Sequence, residues 1–243
     1  MSRIYTEAEL LVGYTVRLDG DACHHLRNVL KTPLRSEVQL FNNRGQVCDG
    51  EIIELSRSKA LVKVTQLVDL KTESHLNITL VQSISRGDRM DYTLQKCVEM
   101  GVTNIIPIIS SRTIVRLDDR KKKSRLKHWA GIIRHATEQS GRTKIPRLTD
   151  IKSLGVWLAD KTHGNVIILD PLGDMSLPTY PFKAKSVTVV AGPEGGFTDN
   201  ELAVMKAKKN APATVSLGPR TLRSETAAVC AISILQALWG DLA

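Results

Sequence analysis

The first part of the chain alternates short apolar segments with polar turns. Segments 37–41, 47–55 and 60–68 are rich in aliphatic and β-branched residues, and the stretch NNRGQ separates the first two. Strands at this spacing are typical of a small antiparallel sheet or barrel. A helix is predicted over residues 21–30, where it interrupts the strands.

After residue 72 the rhythm changes to a strand followed by a helix, repeated several times. Apolar runs predict strands, and segments of helical period predict helices between them: strands at 76–82, 104–110, 165–170, 187–191 and 213–217, and helices at 88–100, 120–140, 200–209 and 225–239. This alternation predicts a parallel sheet with helices on both faces. We therefore expect two domains, 1–72 and 73–243.

The last predicted helix is apolar on almost every side. From Ala227 to Trp239 only Ser233 and Gln236 are polar. A helix of this kind must be enclosed all round, either in the core of one subunit or at a contact between subunits. Because an outer-layer helix of an α/β domain normally keeps one wet face, the pattern favours a subunit interface.

Composition and charge point to a globular protein with an anionic partner. The chain has 243 residues, 42% of them hydrophobic, which supports a sizeable core. Lys and Arg number 34 against 25 Asp and Glu, so the net charge is +9 and nucleic acid is the leading partner class. The basic run at 120–127 is either a solvated helix face or a footprint for backbone phosphates.

Cysteine and histidine spacing gives no sign of a metal site. The cysteines at 23, 48, 97 and 230 are far apart, and His24 and His25 have no matching ligands nearby in the sequence. We expect reduced structural thiols and no metal. With no apolar run of membrane-spanning length and no signal pattern at residues 1–11, we expect a cytoplasmic protein.

Candidate chemistry lies in the loops that follow the predicted strands, which are ILDPLG, AGPEGG and LGPRTLRSETA. Ligands of open α/β sheets bind beyond the carboxyl ends of the strands, and Gly192, Gly195 and Gly196 leave the backbone uncovered there. Thr198 and Glu201 have the spacing of a capping box for the next helix. A tight turn that binds nothing is the alternative interpretation of this loop.

Common ligand motifs are absent from the sequence. It has no Gly-Lys dipeptide for a phosphate-binding P-loop and no G-x-G-x-x-G dinucleotide fingerprint. Signatures of metallohydrolases and of acyl-transfer nucleophiles are missing as well. ATP hydrolysis, hydride transfer and acyl transfer are therefore disfavoured.

The combination of GPEGG and LGPRTLRSETA, with SRGDRM, EQSGR and HHLRNVL upstream, closely resembles the RsmE family of bacterial small-subunit ribosomal RNA methyltransferases. The resemblance runs along essentially the whole chain. It implies a PUA-like β-barrel followed by a SPOUT-type α/β domain whose C-terminus forms a trefoil knot. It also implies a homodimer, formed through the C-terminal domain, that transfers methyl from S-adenosylmethionine to N3 of one uridine in 16S ribosomal RNA.

The resemblance and the chemistry together nominate site residues. For cofactor binding they are Leu169, Gly192, Glu194, Gly195, Gly196, Leu217, Gly218, Leu222, Thr226 and Ala227. For RNA binding they are Arg27, Arg86, Arg89 and Arg220. A guanidinium could stabilise the uracil anion, with Arg223 and Arg142 preferred. Glu138, Glu194 and Glu225 are the candidate bases, with Glu138 placed in the catalytic set, although a structural role is favoured for any one of them.

Two other classes of function are compatible with the sequence. A non-catalytic RNA-binding protein could share the basic charge and the N-terminal barrel, but it would have no use for glycine-bearing loops at adjacent strand ends. A nucleotide-using α/β enzyme is the second alternative, and the missing phosphate and dinucleotide motifs disfavour it.

Overall fold

The computed structural model describes residues 1–160, 164–208 and 212–242. They group into two compact units. The first unit comprises Met1–Glu73 together with the later segment Thr137–Ile145, and the second comprises Ser74–Ala136 and Pro146–Ala243. Each unit has a sheet and a core of its own, so the two are described separately.

The first unit is built on a five-stranded sheet in the order β1-β3-β4-β5-β2. Its strands are β1 (Ser2–Tyr5), β2 (Thr15–Asp19), β3 (Glu37–Phe41), β4 (Val47–Leu55) and β5 (Lys59–Leu67). Strand β1 pairs with β3 in parallel, and the remaining pairs are antiparallel. The predicted sheet is confirmed, whereas β1 and β2 were not predicted.

A short helical segment connects β2 and β3 in this unit. Helix α1 (Gly20–His24) continues into a π-helical turn at His25–Val29. Its buried residues, Cys23 and Leu26, pack into the core formed by alternating residues of the strands. The helix predicted at 21–30 is therefore present, with a change of helical type in its second half.

A buried ion pair fastens Thr137–Ile145 to the rest of the first unit. The guanidinium of Arg142, only 4% exposed, donates to Oε2 of Glu73 over 2.7 Å. Oε1 of Glu73 also accepts from the backbone N–H groups of Thr143 and Lys144, at 2.9 and 3.0 Å. Arg3 donates to the carbonyl oxygen of Arg142 and stacks over the ring of Phe41.

The second unit is a parallel sheet with interspersed helices. The strands are β6 (Asn77–Ser83), β7 (Asn104–Ile109), β8 (Arg147–Leu148), β9 (Lys152–Ser153), β10 (Val166–Leu169), β11 (Met175–Ser176), β12 (Ser186–Ala191) and β13 (Ala213–Ser216). The helices are α2 (Asp88–Glu99), α3 (Asp119–Gln139), α4 (Leu154–Ala159), α5 (Asp199–Lys206) and α6 (Ser224–Trp239), and a 3-10 turn lies at Leu177–Thr179. The predicted parallel α/β architecture is confirmed.

Prediction and structure differ in the short elements of this unit. Strands β8, β9 and β11 and helix α4 were missed, since two-residue strands and a six-residue helix carry too little periodicity to detect. The helix predicted at 200–209 ends at Lys206, and residue 209 lies outside the described part of the chain.

The strand order places the end of the chain among earlier strands. The order is β11-β13-β10-β12-β6-β7-β8, with β9 paired to β7, and every pair is parallel. Strand β13 thus lies between β10 and β11, which are joined directly by residues 170–174. Val215 of β13 pairs with Leu169 on one side and with Met175 on the other. The loop 170–174 must therefore cross β13.

Gly173 makes this crossing possible. A Cβ atom at this position would lie 2.5 Å from the carbonyl carbon of Val215 and 2.7 Å from the backbone nitrogen of Ser216. Such distances to backbone atoms cannot be relieved by moving a side chain. Only glycine lets the loop pass this close to β13.

Helix α6 is enclosed along one face and partly open along the other. Ala228, Ala231, Ile232 and Leu235 are fully buried against the unit's own elements, α2 and β12 among them. Leu238, near its C-terminal end, is 47% exposed. The helix is therefore not fully enclosed within one chain. Its uncovered apolar residues are available for the subunit interface that the sequence predicts.

The cysteines are free thiols, and Cys23, Cys48 and Cys97 are buried. Burial raises the pKa of the Cys48 thiol to about 11 and raises the pKa of Cys97 still further. Both thiols therefore stay protonated at neutral pH and are poor nucleophiles. A structural role, as predicted, is consistent with this environment.

We predict that Glu73→Ala lowers the free energy of unfolding by about 3–5 kcal/mol, because it removes the carboxylate from a buried guanidinium. Urea unfolding followed by circular dichroism measures the loss. Glu51→Ala is the control, because its partner Arg35 is 70% exposed, and it should cost about 0–1 kcal/mol. Equal losses in the two variants would contradict a stabilising role for the buried pair.

Candidate active site

A cleft lies at the carboxyl ends of β10, β12 and β13, where the sequence predicted a ligand site. It measures about 630 Å³ when its open mouth is counted. Its walls come from the loops after these strands and from the start of α6: Leu169, Asp170, Pro171, Ala191, Gly192, Pro193, Glu194, Gly196, Val215, Leu217, Arg220, Thr221, Leu222, Ser224 and Ala227. The three loops do converge.

The wall of the cleft combines an apolar surface with a few polar groups. Aliphatic side chains from all three loops, such as Leu169, Leu217 and Leu222, provide a surface on which a flat ring can pack. Asp170, Glu194 and Arg220 place charges of both signs in the same wall. This combination suits a ligand that carries an aromatic ring together with charged groups of both signs.

The loop after β12 is held by hydrogen bonds to its carbonyl oxygens. The hydroxyl of Ser224 donates to the carbonyl oxygen of Gly192 over 2.6 Å, and Nε2 of Gln82 donates to Oγ of Ser224 over 3.1 Å. On the other side, the guanidinium of Arg112 donates to the carbonyl oxygen of Gly195 over 2.7 Å. The loop is thus fixed before any ligand arrives.

Gly196 is the position in this loop that requires glycine. Its φ is +67°, which L side chains rarely adopt. No heavy atom lies within 4 Å of the place where a Cβ would stand. The backbone at Gly196 is therefore open to close approach from within the cleft.

Helix α5 begins immediately after the loop, as the sequence predicted. Thr198 accepts from the backbone N–H of Glu201, and Glu201 accepts from the backbone N–H of Thr198, which forms a capping box. Phe197 and Leu202, which flank the capping box at the spacing of a hydrophobic staple, both contact the same apolar cluster. The direction of the chain as it leaves the loop is therefore well defined.

A group of charged residues adjoins the cleft at Glu194. Oε1 of Glu194 accepts from the backbone N–H of Arg86 over 3.2 Å and from the guanidinium of Arg89 over 3.1 Å. Burial by itself would raise the pKa of the Glu194 carboxyl. The carboxylate also accepts a hydrogen bond from its own backbone N–H, and this bond, the two from Arg86 and Arg89 and the positive charge of Arg89 outweigh the effect of burial and hold the pKa below its usual value. Arg89 also lies 3.9 Å from Oε1 of Glu225.

Most of the predicted cofactor residues line this cleft. They are Leu169, Gly192, Glu194, Gly196, Leu217, Leu222 and Ala227. Gly195 and Gly218 lie in the same loops, and Thr226 is exposed on the first turn of α6. The prediction omitted some residues of the wall, including Asp170, Val215, Thr221 and Ser224. Each of these residues is close in sequence to a predicted residue, and this proximity was the only indication in the sequence that they would line the cleft.

The predicted catalytic residues lie in different units. Arg223 is the exposed N-cap residue of α6, next to the cleft-lining Ser224. Arg142 and Glu138 belong to the first unit and are buried there, 4% and 8% exposed. Arg142 forms the ion pair with Glu73, and Oε1 of Glu138 accepts from the backbone N–H of Tyr5 over 3.0 Å. Their contacts are those of structural residues.

The predicted RNA-binding arginines are all exposed. Arg27 lies in the π-helical turn of the first unit, Arg86 and Arg89 lie at the start of α2, and Arg220 lies in the loop after β13 and lines the cleft. Three of the four therefore surround the cleft region of the second unit.

Within residues 1–160, 164–208 and 212–242, no group of three His, Cys, Asp or Glu side chains could hold a metal ion. In the same part of the chain, no helix is both long and apolar enough to cross a membrane.

Comparison with known proteins defines the class. Residues 72–236 match the family model of an RNA methyltransferase domain, and residues 18–65 match that of an RNA methyltransferase PUA domain. Ribosomal RNA small subunit methyltransferase E of Buchnera aphidicola subsp. Schizaphis graminum is 30% identical over 99% of this chain and 97% of the relative.

Solved structures agree with this assignment. The ribosomal RNA small subunit methyltransferase E of Neisseria gonorrhoeae, bound to S-adenosyl methionine, is 38% identical, covers 100% of both chains and superposes with a TM-score of 0.91. A Legionella pneumophila putative methyltransferase in complex with the same cofactor is 34% identical, covers 99% of this chain and 98% of that chain, and has a TM-score of 0.93. The chain belongs to the ribosomal RNA small subunit methyltransferase E family.

We predict that the Glu194 carboxylate contributes stability that is lost in acid. Because its pKa in the folded protein is below the ordinary 4.5, this contribution is complete above that value and disappears as the pH falls through the lower, folded value. The melting temperature of the wild type should therefore fall more steeply than that of Glu194→Gln as the pH decreases through this acid range. Asp69→Asn, which alters a carboxylate 83% exposed, should keep the wild-type profile, and identical profiles for all three proteins would contradict the assignment.

Proposed function

We propose that this protein transfers the methyl group of S-adenosylmethionine to N3 of one specific uridine in 16S ribosomal RNA of the small subunit. The observation that carries the proposal is the cleft formed by the loops after β10, β12 and β13, in a chain of this methyltransferase family. The likeness to two proteins solved with this cofactor supports it. A ribosomal substrate also fits the predicted cytoplasmic location.

The residues of the cleft fit this cofactor. The aliphatic residues Leu169, Leu217 and Leu222 would pack against its adenine, and the open backbone at Gly196 would offer hydrogen-bonding groups at close range. Asp170 and Glu194 would complement its positive charge. When bound, the cofactor supplies a methyl group already activated by the sulfonium, so the protein needs no metal to drive the transfer.

The remaining task of the protein is to position the uracil and to stabilise the charge that develops on it. Loss of the N3 proton leaves negative charge on the uracil carbonyl oxygens, which a guanidinium can stabilise. We propose Arg223 for this role, because it is exposed and directly precedes the cleft-lining Ser224. The buried contacts of Arg142 and Glu138 support structural roles within the first unit instead.

The proposal includes the architecture that surrounds the reaction. Residues 1–72 would form the RNA-binding domain and 73–243 the methyltransferase domain, with Arg27, Arg86, Arg89 and Arg220 contacting RNA phosphates. A homodimer through the C-terminal domain is supported by the uncovered apolar end of α6, where Leu238 is 47% exposed. A trefoil knot in this domain is supported by the loop 170–174, which crosses β13.

The central prediction is that the protein labels small ribosomal subunits when it is given S-adenosylmethionine with a labelled methyl group. Nuclease digestion and mass spectrometry should locate the label on N3 of a single uridine, and parallel reactions with free 16S RNA would identify the preferred substrate. Calorimetry with S-adenosylhomocysteine, ATP and NAD is the control for the cofactor. Tighter binding of ATP or NAD, or RNA binding without any S-adenosylmethionine binding, would overturn the proposal.

We predict that Arg223→Ala lowers the rate of methyl transfer by about 10²–10³-fold, as expected when a donor to a developing oxyanion is removed. Cofactor affinity should change far less, because the guanidinium acts on the uracil. Single-turnover rates and calorimetry measure the two effects, with the exposed Arg147→Ala of β8 as the control. Equal losses in binding and turnover would refute the role assigned to Arg223.

A further inference from the structure

The first part of helix α3 and the turn before it carry more than half of the net charge of the chain. Residues 116–127 contain seven Lys and Arg against two Asp, a net charge of +5 where the whole chain has +9. The sequence leaves two interpretations of this run, a solvated helix face or a footprint for phosphate groups. The contacts in the structure favour the second.

Three of these cations form a row along one side of α3. Arg120, Lys123 and Lys127 follow one another at positions i, i+3 and i+7 of the helix. At 3.6 residues per turn, they lie within about 60° of one another around the helix axis. All three residues are exposed. We call them the basic row.

The basic row has no anionic partner in the part of the chain that the structure describes. The two carboxylates beside it pair with other side chains, Asp118 with Lys121 at 3.6 Å and Asp119 with Lys122 at 3.0 Å. Among the described residues, no carboxylate lies within ion-pair distance of any member of the row. Its three positive charges are therefore available to a partner.

This arrangement is unfavourable for the helix itself. Arg120 lies in the first turn, where the positive end of the helix dipole disfavours a cation. Lys123 lies three residues from Arg120 and four from Lys127, and like charges at these spacings destabilise a helix. Solubility does not require such a row, because interspersed charges of both signs serve it equally well. The row therefore indicates a function for which positive charge is needed.

The opposite side of α3 narrows the kind of partner. Trp129 and Ile133 are each 1% exposed, so the apolar side of the helix is not available for insertion into a lipid surface. What the helix presents to a partner is a line of positive charges. A line of this kind matches a repeating anion, and the phosphate backbone of RNA is such a partner.

The basic row lies on the chain segment that leaves the cleft region. Arg112 donates to the carbonyl oxygen of Gly195 in the loop after β12, and Arg120 follows eight residues later. Eight residues reach at most about 29 Å, so the row begins within that distance of Arg112. One RNA molecule can therefore contact both the cleft and the row.

We propose that the basic row of α3 binds phosphate groups of the RNA that flanks the target nucleotide, an inference that rests on the proposed function. Contacts of this kind add affinity and orient the RNA without reading its sequence. All three residues lie outside the set that lines the cleft. The row thus strengthens RNA binding, while cofactor binding and methyl transfer depend on other residues.

The test is the triple variant Arg120→Gln/Lys123→Gln/Lys127→Gln, since glutamine removes the charge and keeps a similar helix propensity. At low salt its affinity for 16S ribosomal RNA should fall about tenfold or more. The slope of log affinity against log salt concentration should become shallower by about three. Filter binding at several salt concentrations measures both effects. Methyl transfer should fall at limiting RNA and recover at saturating RNA, with unchanged calorimetric affinity for S-adenosylmethionine.

The matched control is Arg147→Gln/Lys183→Gln/Lys185→Gln, which also removes one Arg and two Lys from exposed positions. These residues lie at or just before the amino ends of β8 and β12. Because the strands are parallel, this is the edge of the sheet opposite the cleft. The control should therefore keep the RNA affinity and the salt dependence of the wild type.

Melting temperatures distinguish RNA binding from a structural role of the row. Since like charges no longer repel, the α3 variant should be as stable as the wild type or more stable. Equal RNA affinities of the α3 variant and the control, or a lower melting temperature of the α3 variant, would overturn the proposal. A wild-type protein that binds this RNA through the row but fails to methylate it would instead refute the proposed function.

Discussion

The hydrogen bond from the Ser224 hydroxyl to the Gly192 carbonyl oxygen joins two walls of the candidate active site. At 2.6 Å it links the loop after β12 to the first turn of α6, and Gln82 at the end of β6 holds the hydroxyl in place. With Arg112 holding the other end of the loop, the glycine-bearing backbone is fixed without bulky side chains. A rigid, uncovered surface of this kind is what a bound nucleoside requires, because little ordering remains to be done on binding.

Sequence patterns predicted the long helices and strands and the loops at the carboxyl ends of the strands. The helices α2, α3 and α6 and the strands β6, β7 and β12 have clear periodicity, and the capping box at Thr198 and Glu201 marked the start of α5. Because the carboxyl ends of parallel strands share one edge, the loops after β10, β12 and β13 could be expected to meet. The residues Gly192, Gly196 and Leu217 were placed correctly in the cleft by this reasoning, combined with family resemblance.

The contacts that the sequence did not predict have physical causes. Arg142 pairs with Glu73, which lies 69 residues earlier in the chain, and no local sequence pattern predicts such a pairing. Ser224 was missed as a cleft residue because its role depends on the Gln82 side chain, which is brought near only by the register of β6 with β12. The grouping of Thr137–Ile145 with the N-terminal unit likewise depends on contacts between distant segments. In a chimaera that takes residues 1–73 from a relative, Arg142 would have to pair with a residue of that relative instead of with Glu73.

The position of β13 between β10 and β11 has a consequence for biosynthesis. Residues 213–216 leave the ribosome after the strands that flank them, so the nascent chain must insert its last strand into a gap already bordered by two earlier ones. Pairings between segments so far apart in sequence form slowly. Since β13 and α6 also supply the third wall of the cleft, the ligand site is complete only after residues 213–239 have been synthesised and have folded into place.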